Sequence, residues 1–335
     1  MPAISIVIPV HCAEQTLPEL YRQLAEAMPQ ITPEFEIIFV EDGGRDNSWS
    51  VIVDLARKDR RVRGIRLSRN YGQHNALLCG IRAAKYEIIV TMDDDLQHPV
   101  SEIAPMVAAL KPEYDVVYGK PRSEQHGFWR DVASRLTKMA LASAIGVANA
   151  RSVSAFRVFR THVREGFEES RSPSVSIDVL LTWATSRFTA IEVCHKPRAA
   201  GTSGYTFGKL VQYALDLMTG FSTLPLRITI YIGFAFVLFG IAIFAYVLIT
   251  YLTYGSRAPG FAFLASIIAI FSGAQLFTLG IFGEYLARMH MRSMDRPAYL
   301  VVETTAMEAS DEIATPPLST GGTKGRKDAM FETGG

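Results

Sequence analysis

Residues 87–97 read EIIVTMDDDLQ, an apolar run that ends in three consecutive aspartates. The apolar part is typical of a strand that is buried on both faces of a sheet. Asp93 and Asp95 stand at alternate positions and can reach one hard cation, and the side-chain carbonyl of Gln97 can add a third oxygen. A Mg²⁺ or Mn²⁺ ion bound there would neutralise a diphosphate group. The alternative is an acidic loop that caps the next helix, because acids favour helix N-termini.

Short β-branched runs alternate with helical patterns on both sides of this stretch. The predicted strands are residues 4–10, 35–40, 63–67, 87–92, 114–118, 155–159 and 189–194. The predicted helices are residues 17–28, 46–57, 75–84, 99–110, 127–147 and 176–185. This alternation predicts a Rossmann-like α/β domain with a parallel sheet and helices on both faces. Ligands of such sheets bind beyond the carboxyl ends of the strands.

Three other strand ends carry residues that we expect near the aspartates. Pro9 lies near the end of the first strand, and Glu41 and Asp42 precede two glycines at the end of the second. A carboxylate there can accept a hydrogen bond from a base N–H or a ribose hydroxyl. Arg69 follows the third strand, where its guanidinium and a helix N-terminus favour a phosphate or a base. The alternatives are an ordinary acid-Gly-Gly turn and a polar strand–helix loop.

A scattered set of basic residues follows in the second half of the domain. Arginine suits bidentate phosphate binding, although most surface arginines are only solvated. The set comprises Arg122, Arg130, Arg135, Arg198 and Lys209.

Two long apolar blocks predict a membrane anchor. Residues 228–256 and 258–283 contain no charged side chain, and each exceeds the roughly 20 residues that cross a bilayer. Arginines before the first block and after the second predict that both ends of this hairpin are cytoplasmic. The alternative, a pair of buried core helices, is hard to accommodate in so small a domain. The first ten residues have no basic segment before their apolar run, so we expect a strand rather than a signal peptide.

The boundaries that follow from these patterns divide the chain into five parts. We expect an α/β catalytic domain at 1–204, interfacial amphipathic helices at 205–227, a transmembrane hairpin at 228–287 (spans at about 228–254 and 261–285), a cytoplasmic juxtamembrane segment at 288–302 and a disordered tail at 303–335. The net charge of +1 gives no global field for nucleic acid. Three cysteines without metal-like spacing indicate reduced thiols.

Four motifs together resemble glycosyltransferase family 2, and within it the polyprenyl-phosphate glycosyltransferases. They are SRNYGQH at 68–74, DDDLQHP at 93–99, GFSTLPLR at 220–227 and GEYLARMHMRSMDRPAYLV at 283–301. The resemblance implies a GT-A fold and inverting transfer of a sugar from a nucleotide-diphosphate sugar, UDP being favoured, to a polyprenyl phosphate. It also implies a multi-pass protein of the inner (cytoplasmic) membrane with both termini cytoplasmic. The resemblance does not decide whether the protein forms a homo-oligomer.

The resemblance assigns roles to residues at matching positions. It implies metal binding by Asp93, Asp95 and Gln97, and nucleotide-sugar binding by Pro9, Glu41, Asp42, Arg69, Asp93 and Asp94. It implies acceptor-phosphate binding by Arg122, Arg130, Ser134, Arg198 and Ser203. The catalytic set is Asp93, Asp95, Arg130 and Arg198.

The chain departs from the family pattern at several positions. Residues 9–13 read PVHCA where Pro-x-Tyr-Asn-Glu is usual, Glu41 replaces an aspartate, and Gly204 replaces a lysine. Arg151 or Ser154 stands where an aspartate is common near the sixth strand. These changes leave open a membrane-tethered nucleotide-sugar binder without turnover. A polysaccharide synthase would carry a Gln-x-x-Arg-Trp motif and more spans, and the sequence has neither. A channel would need ionisable residues within its spans, and the two apolar blocks contain none.

Overall fold

The computed structural model of the protein describes residues 2–121, 153–168, 176–196, 224–254, 261–294 and 296–305. In this part of the chain, eight strands form one sheet in the order β7-β5-β6-β4-β1-β2-β3-β8. The strands are β1 (Ile4–Val10), β2 (Phe35–Glu41), β3 (Val62–Leu67), β4 (Ile88–Thr91), β5 (Val116–Pro121), β6 (Arg157–Arg160), β7 (Phe188–Val193) and β8 (Val301–Thr304).

Seven α-helices accompany the strands within the described ranges. They are α1 (Leu17–Ile31), α2 (Ser48–Lys58), α3 (Gln73–Ala83), α4 (Ile103–Ala109), α5 (Ile177–Ala184), α6 (Leu224–Tyr254) and α7 (Phe261–Ser293). Two 3₁₀ turns, Val100–Glu102 and Thr161–Phe167, precede α4 and follow β6. The predicted helix 127–147 and residues 205–223 of the predicted interfacial helices at 205–227 lie outside the described residues, while residues 224–227 belong to α6.

The centre of the sheet is buried on both faces, as its unbroken apolar runs predict. All seven residues of β1 and all seven of β2 are buried. One apolar layer packs the sheet against α1, α2 and α4, and the other packs it against α3 and α5. Strands β1 to β4 are parallel, with β1 between β2 and β4. Their carboxyl ends therefore lie at one edge of the sheet.

The sheet is mixed, whereas the alternating pattern predicted a parallel one. Strand β6 runs antiparallel to both β4 and β5, and β8 runs antiparallel to β3. Hydrophobic runs report the burial of a strand and carry no information about its direction, so periodicity alone could not show this.

The strand β8 crosses a boundary that the sequence placed at 302/303. Residues 303–335 were expected to form a disordered tail, yet Glu303 and Thr304 belong to β8. The backbone N–H of Thr305 donates to Gly64 O at 2.9 Å, and the side-chain Oγ1 of Thr305 accepts from Gly64 N–H at 2.7 Å. The polar composition of this segment concealed the strand, because β8 is a short edge strand whose four side chains are exposed.

The two C-terminal helices expose apolar side chains along their length. Within residues 226–253 of α6, the most apolar segment has a mean hydropathy of 2.7, and none of it is buried. Among the described residues, 226–253 is the one stretch that is long and apolar enough to span a membrane. Helix α7 has 33 residues and is about 50 Å long. The rings of Phe236 and Phe271 meet edge to face at 5.5 Å, so the two helices pack together.

Candidate active site

A cleft of about 220 Å³ opens where β1, β2, β3 and β4 end. The chain adds strands on one side of β1 as far as β3 and then places β4 on the other side. The strand order therefore reverses at this point, which is where α/β sheets bind ligands. The cleft is lined by Pro9, Val10, His11, Asp42, Asn70, Gly72, Gln73, Asp93, Asp94 and Asp95.

The three aspartates after β4 form one wall of the cleft. The side-chain amide of Gln73 donates to Asp93 Oδ1 at 2.6 Å, and the backbone N–H of His11 donates to Asp94 Oδ2 at 3.1 Å. Asp95 is buried and accepts from the backbone N–H of Gln97 at 3.1 Å. These contacts tie the acidic loop to neighbouring loops of the cleft.

The acidic loop ends in an uncommon backbone conformation. Leu96 has a φ of 63°, in the left-handed region that non-glycine residues seldom adopt. The reversal follows directly after Asp95, which is the most buried of the three carboxylates. Strained backbone of this kind persists where the surrounding structure fixes it, and it occurs often at functional sites.

Asp42 joins the β2 end of the cleft to the loop after β3. Its carboxylate accepts from the backbone N–H groups of Tyr71 at 2.7 Å and Gly72 at 2.9 Å. Burial raises the pKa of Asp42, while these two hydrogen bonds and the nearby His11 and Arg69 act in the opposite direction. The carboxylate is therefore held in place before any ligand arrives.

The next residue, Gly43, brings the same two loops into backbone contact. Its φ is +60°, and a Cβ placed on it would lie 2.3 Å from the backbone carbonyl carbon of Arg69 and the backbone nitrogen of Asn70. Only glycine fits this approach, so the Gly-Gly pair in the sequence is more than an ordinary turn.

Glu41 and Arg69 lie beside the residues that line the cleft. Glu41 is buried; its Oε1 accepts from the backbone N–H of Gly44, and its Oε2 lies 3.5 Å from Arg66 Nε. Burial raises the pKa of Glu41, and the Gly44 hydrogen bond and Arg66 oppose that rise. The exposed guanidinium of Arg69 lies 4.4 Å from the centroid of the Tyr71 ring.

The donor set of the cleft fits a hard divalent cation. Four carboxylates, those of Asp42, Asp93, Asp94 and Asp95, face one cavity, and oxygen is the donor that Mg²⁺ and Mn²⁺ prefer. Among the described residues, no three acidic, histidine or cysteine side chains form a group that could hold a metal ion in the side-chain arrangement of this structure. Gln97 is not among the lining residues; its backbone carbonyl accepts from Lys196 N at 2.9 Å. Of the predicted metal ligands, the structure thus places Asp93 and Asp95 on the cleft wall.

The sequence did not predict a buried polar network that lies below the acidic loop. The guanidinium of Arg157 donates to both carboxylate oxygens of Asp178, at 2.8 and 2.9 Å, and to Thr91 Oγ1 at 3.3 Å. Tyr118 donates to Asp178 Oδ1 at 3.1 Å. Burial would raise the pKa of Asp178, but the Arg157 guanidinium holds it below the usual range. No spacing in the sequence identifies such a pair, because its members lie on separate elements.

The predicted acceptor-phosphate residues lie outside the described part of the chain. These residues are Arg122, Arg130, Ser134, Arg198 and Ser203. Their roles stay predictions.

Comparison with known sequences relates the chain to glycosyltransferases. The sequence model of Glycosyl transferase family 2 matches residues 5–167. An undecaprenyl-phosphate 4-deoxy-4-formamido-L-arabinose transferase from Proteus mirabilis is 32% identical over 308 residues, which cover 91% of this chain and 94% of the relative. A transferase of the same name from Shewanella sediminis is 35% identical over 310 residues, with 92% and 94% covered.

Solved structures give a weaker likeness. Glucosyl-3-phosphoglycerate synthase from Mycobacterium tuberculosis, in complex with Mn²⁺, UDP and glucosyl-3-phosphoglycerate, has a TM-score of 0.49 and 14% identity and covers 65% of this chain and 78% of that one. Mannosyl-3-phosphoglycerate synthase from Rubrobacter xylanophilus has a TM-score of 0.45 and 14% identity, with 64% and 72% covered.

The α/β domain, with its acidic cleft at the switch point of a mixed sheet, is a glycosyltransferase domain of the GT-A type. The chain belongs to glycosyl transferase family 2, in which its similarity to named transferases extends over nine tenths of its length.

Proposed function

We propose that this protein transfers a sugar, with inversion, from a UDP-sugar to a polyprenyl phosphate at the cytoplasmic face of the inner membrane. The observation that carries the proposal is an acidic cleft at the switch point, in a chain that resembles undecaprenyl-phosphate transferases over nine tenths of its length. The name of those relatives makes 4-deoxy-4-formamido-L-arabinose the first sugar to test. Undecaprenyl phosphate is likewise the first acceptor.

The nucleotide-sugar would bind across the cleft. Asp42 is fixed by two backbone N–H groups and presents its carboxylate where a base or ribose can donate to it. Asp93 and Asp95, with Asp94 beside them, would hold a Mg²⁺ or Mn²⁺ ion against the diphosphate of the donor. When bound, the ion supplies positive charge that stabilises the departing nucleoside diphosphate.

A phosphate acceptor needs no strong general base, whereas a sugar hydroxyl would need one. A phosphate monoester is largely ionised near neutral pH, with a second pKa near 6 by analogy with phosphoserine. One of its oxygens attacks the anomeric carbon, the bond from that carbon to the diphosphate oxygen breaks, and the nucleoside diphosphate leaves with the electron pair. Arg130 and Arg198 are the residues that we expect to offset the repulsion between the two anions.

The topology of the sheet supports a membrane hairpin. The chain leaves the sheet before α6 and returns to it after α7, where β8 pairs with β3. Because β3 and β8 lie on one side of the membrane, the chain between them crosses the bilayer an even number of times. If α6 spans the membrane, as its hydropathy indicates, α7 crosses back.

Turnover by the purified protein tests the proposal. The protein in detergent would be incubated with undecaprenyl phosphate, Mg²⁺ and a panel of labelled nucleotide-sugars that includes UDP-4-deoxy-4-formamido-L-arabinose, and lipid-linked sugar would be extracted. We expect product from at least one donor. Asp95→Ala is expected to reduce the rate by at least about 100-fold, because it removes a proposed metal ligand.

Asp54→Ala is the matched control, because Asp54 is an exposed aspartate of α2 whose partner is Arg57. Its activity should equal that of the wild type. Full activity of Asp95→Ala would refute the metal assignment. Nucleotide binding without product from any donor would favour the tethered binder that the altered residues 11–13 left open.

A further inference from the structure

Three charged residues on neighbouring strands form a row at the edge of the sheet. Arg66 of β3 is the register partner of Glu41 on β2 and of Glu303 on β8. Its Nε lies 3.5 Å from Glu41 Oε2, and its Nη1 lies 3.7 Å from Glu303 Oε2. Directly opposed side chains of opposite charge stabilise a sheet. One end of this row is buried at the cleft, and the other is half exposed on the last strand.

Glu41 closes the turn that follows β2 beside the cleft. Its side chain is 3% exposed, and its Oε1 accepts the hydrogen bond from Gly44 N that closes the turn after β2. Asp42 and Gly43 lie inside that turn; the first faces the cleft, and the second fits against the backbone of Arg69 and Asn70. Glu41 therefore holds the turn that carries Asp42, and the N–H groups of Tyr71 and Gly72 hold the Asp42 carboxylate itself.

The guanidinium of Arg66 lies beside the buried carboxylate of Glu41 and, after the hydrogen bond from Gly44, favours its ionised form. A buried carboxylate is unfavourable unless it is paired and hydrogen-bonded. The guanidinium of Arg66 is held from two further directions, by Glu303 and by the Trp49 ring, whose centroid is 5.9 Å from its central carbon. Glu303 is thus two contacts away from the turn that carries Asp42.

We propose that Arg66 and Glu303 are positioning residues for nucleotide binding, with Arg66 holding Glu41 and Glu303 holding Arg66. The proposal rests on the assignment of the cleft to a nucleotide-sugar. It gives the strand that follows the membrane helices a part in the donor site, although none of its residues lines the cleft. A row that only stabilised the sheet edge would change the amount of folded protein and leave the affinity of each folded molecule unaltered.

Binding of a nucleoside diphosphate to the full-length protein tests this. The wild type in detergent with Mg²⁺ is titrated with UDP, GDP, CDP and ADP by calorimetry, and the nucleotide that it binds is used as the probe. We expect Arg66→Met to raise Kd by about tenfold or more, because it leaves Glu41 buried without its cation. Glu303→Gln should raise Kd by roughly two- to threefold, since its ion pair is half exposed.

The double variant shows whether the two residues act in series. If Glu303 acts through Arg66, adding Glu303→Gln to Arg66→Met changes Kd no further. Arg66→Lys keeps the positive charge and should recover part of the affinity. Glu26→Gln removes an exposed partner of Arg22 on α1 and is the control, with an unchanged Kd expected.

The outcomes separate this proposal from the function on which it rests. A wild type that binds none of the four nucleotides would defeat both. A wild type that binds, with variants of lower binding stoichiometry but equal Kd, would overturn the positioning role alone. Independent, additive losses from Arg66→Met and Glu303→Gln would also overturn it.

Discussion

Two glycines with positive φ show how the backbone around the cleft restricts which residue can occupy a position. Gly43 and Gly72 both adopt the backbone conformation that disfavours L side chains, with φ of +60° and +91°. Around Gly72 there is open space, whereas a Cβ on Gly43 would overlap the backbone of Arg69 and Asn70. Backbone cannot move aside as the end of a long side chain can.

Alanine at each position separates strain from overlap. Gly72→Ala should lower the free energy of unfolding by about 1–3 kcal/mol, because the φ of 91° and ψ of 151° at this position are essentially restricted to glycine. Gly43→Ala adds the overlap and should lower it by about 2–4 kcal/mol, with weaker nucleotide binding because the two loops separate. Thermal or urea unfolding of both variants measures the difference. Equal losses would mean that the approach of the two loops has no consequence for stability.

At the scale of elements, the sequence predicted strands and helices better than it predicted their pairing. Strand β1 has the bounds that its apolar run predicted; β2 is longer than predicted by one residue, and β4 is shorter by one residue at each end. The direction of β6 and the return of β8 were not predicted, because both depend on partners distant in the chain. The same reason hid the pair Arg157–Asp178 and the row from Glu41 to Glu303.

The cleft was accessible to sequence reasoning where chemistry coincides with a strand end. Asp42, Asp93 and Asp95 were predicted as neighbours because parallel strands end at one edge, and the structure places all three on the cleft. Glu41 was assigned to the nucleotide; in the structure its Oε1 accepts from Gly44 N–H of the turn, and its contact with a nucleotide stays a prediction. Whether a side chain at a strand end faces the ligand or the loop depends on tertiary contacts that sequence spacing does not encode.

The buried pair between β6 and α5 should carry a large share of the stability of this region. Arg157 and Asp178 are 3% and 6% exposed, so removing one charge leaves the other buried and unpaired. Asp178→Asn is expected to destabilise the protein by about 3–5 kcal/mol. Replacing both residues, as Arg157→Met with Asp178→Leu, should restore most of the loss, since no isolated charge remains.

Glu19→Gln provides the comparison on the surface, because Glu19 pairs with Arg22 where both side chains are about half exposed. Its effect on the unfolding midpoint should be small beside that of Asp178→Asn, because solvent screens an exposed ion pair. Unfolding midpoints of the three variants in the same detergent supply the measurement. A double variant as unstable as Asp178→Asn would show that the pair contributes through its specific geometry rather than through charge compensation.

On the scale of the whole molecule, the sheet itself constrains how α6 and α7 can cross a membrane. Strand β8 joins β3 only if residues 301–304 lie on the same side of the membrane as the α/β domain. The chain from α6 to α7 then crosses the bilayer twice or not at all. The exposed apolar surface of α6 favours two crossings, which would place residues 255–260 on the far side.

Cysteine labelling in intact bacterial cells distinguishes these cases. In a background with Cys12→Ser and Cys194→Ser, the two exposed native thiols are removed and the buried Cys79 remains. A membrane-impermeant maleimide should label Ser256→Cys in intact cells, because two crossings expose that position to the outside. Val302→Cys, whose position on β8 is 63% exposed, should react only after lysis. Protection of both cysteines in intact cells, with reaction of both after lysis, would mean that α6 and α7 lie along the membrane instead of crossing it, and that the acceptor lipid reaches the cleft without a spanning anchor.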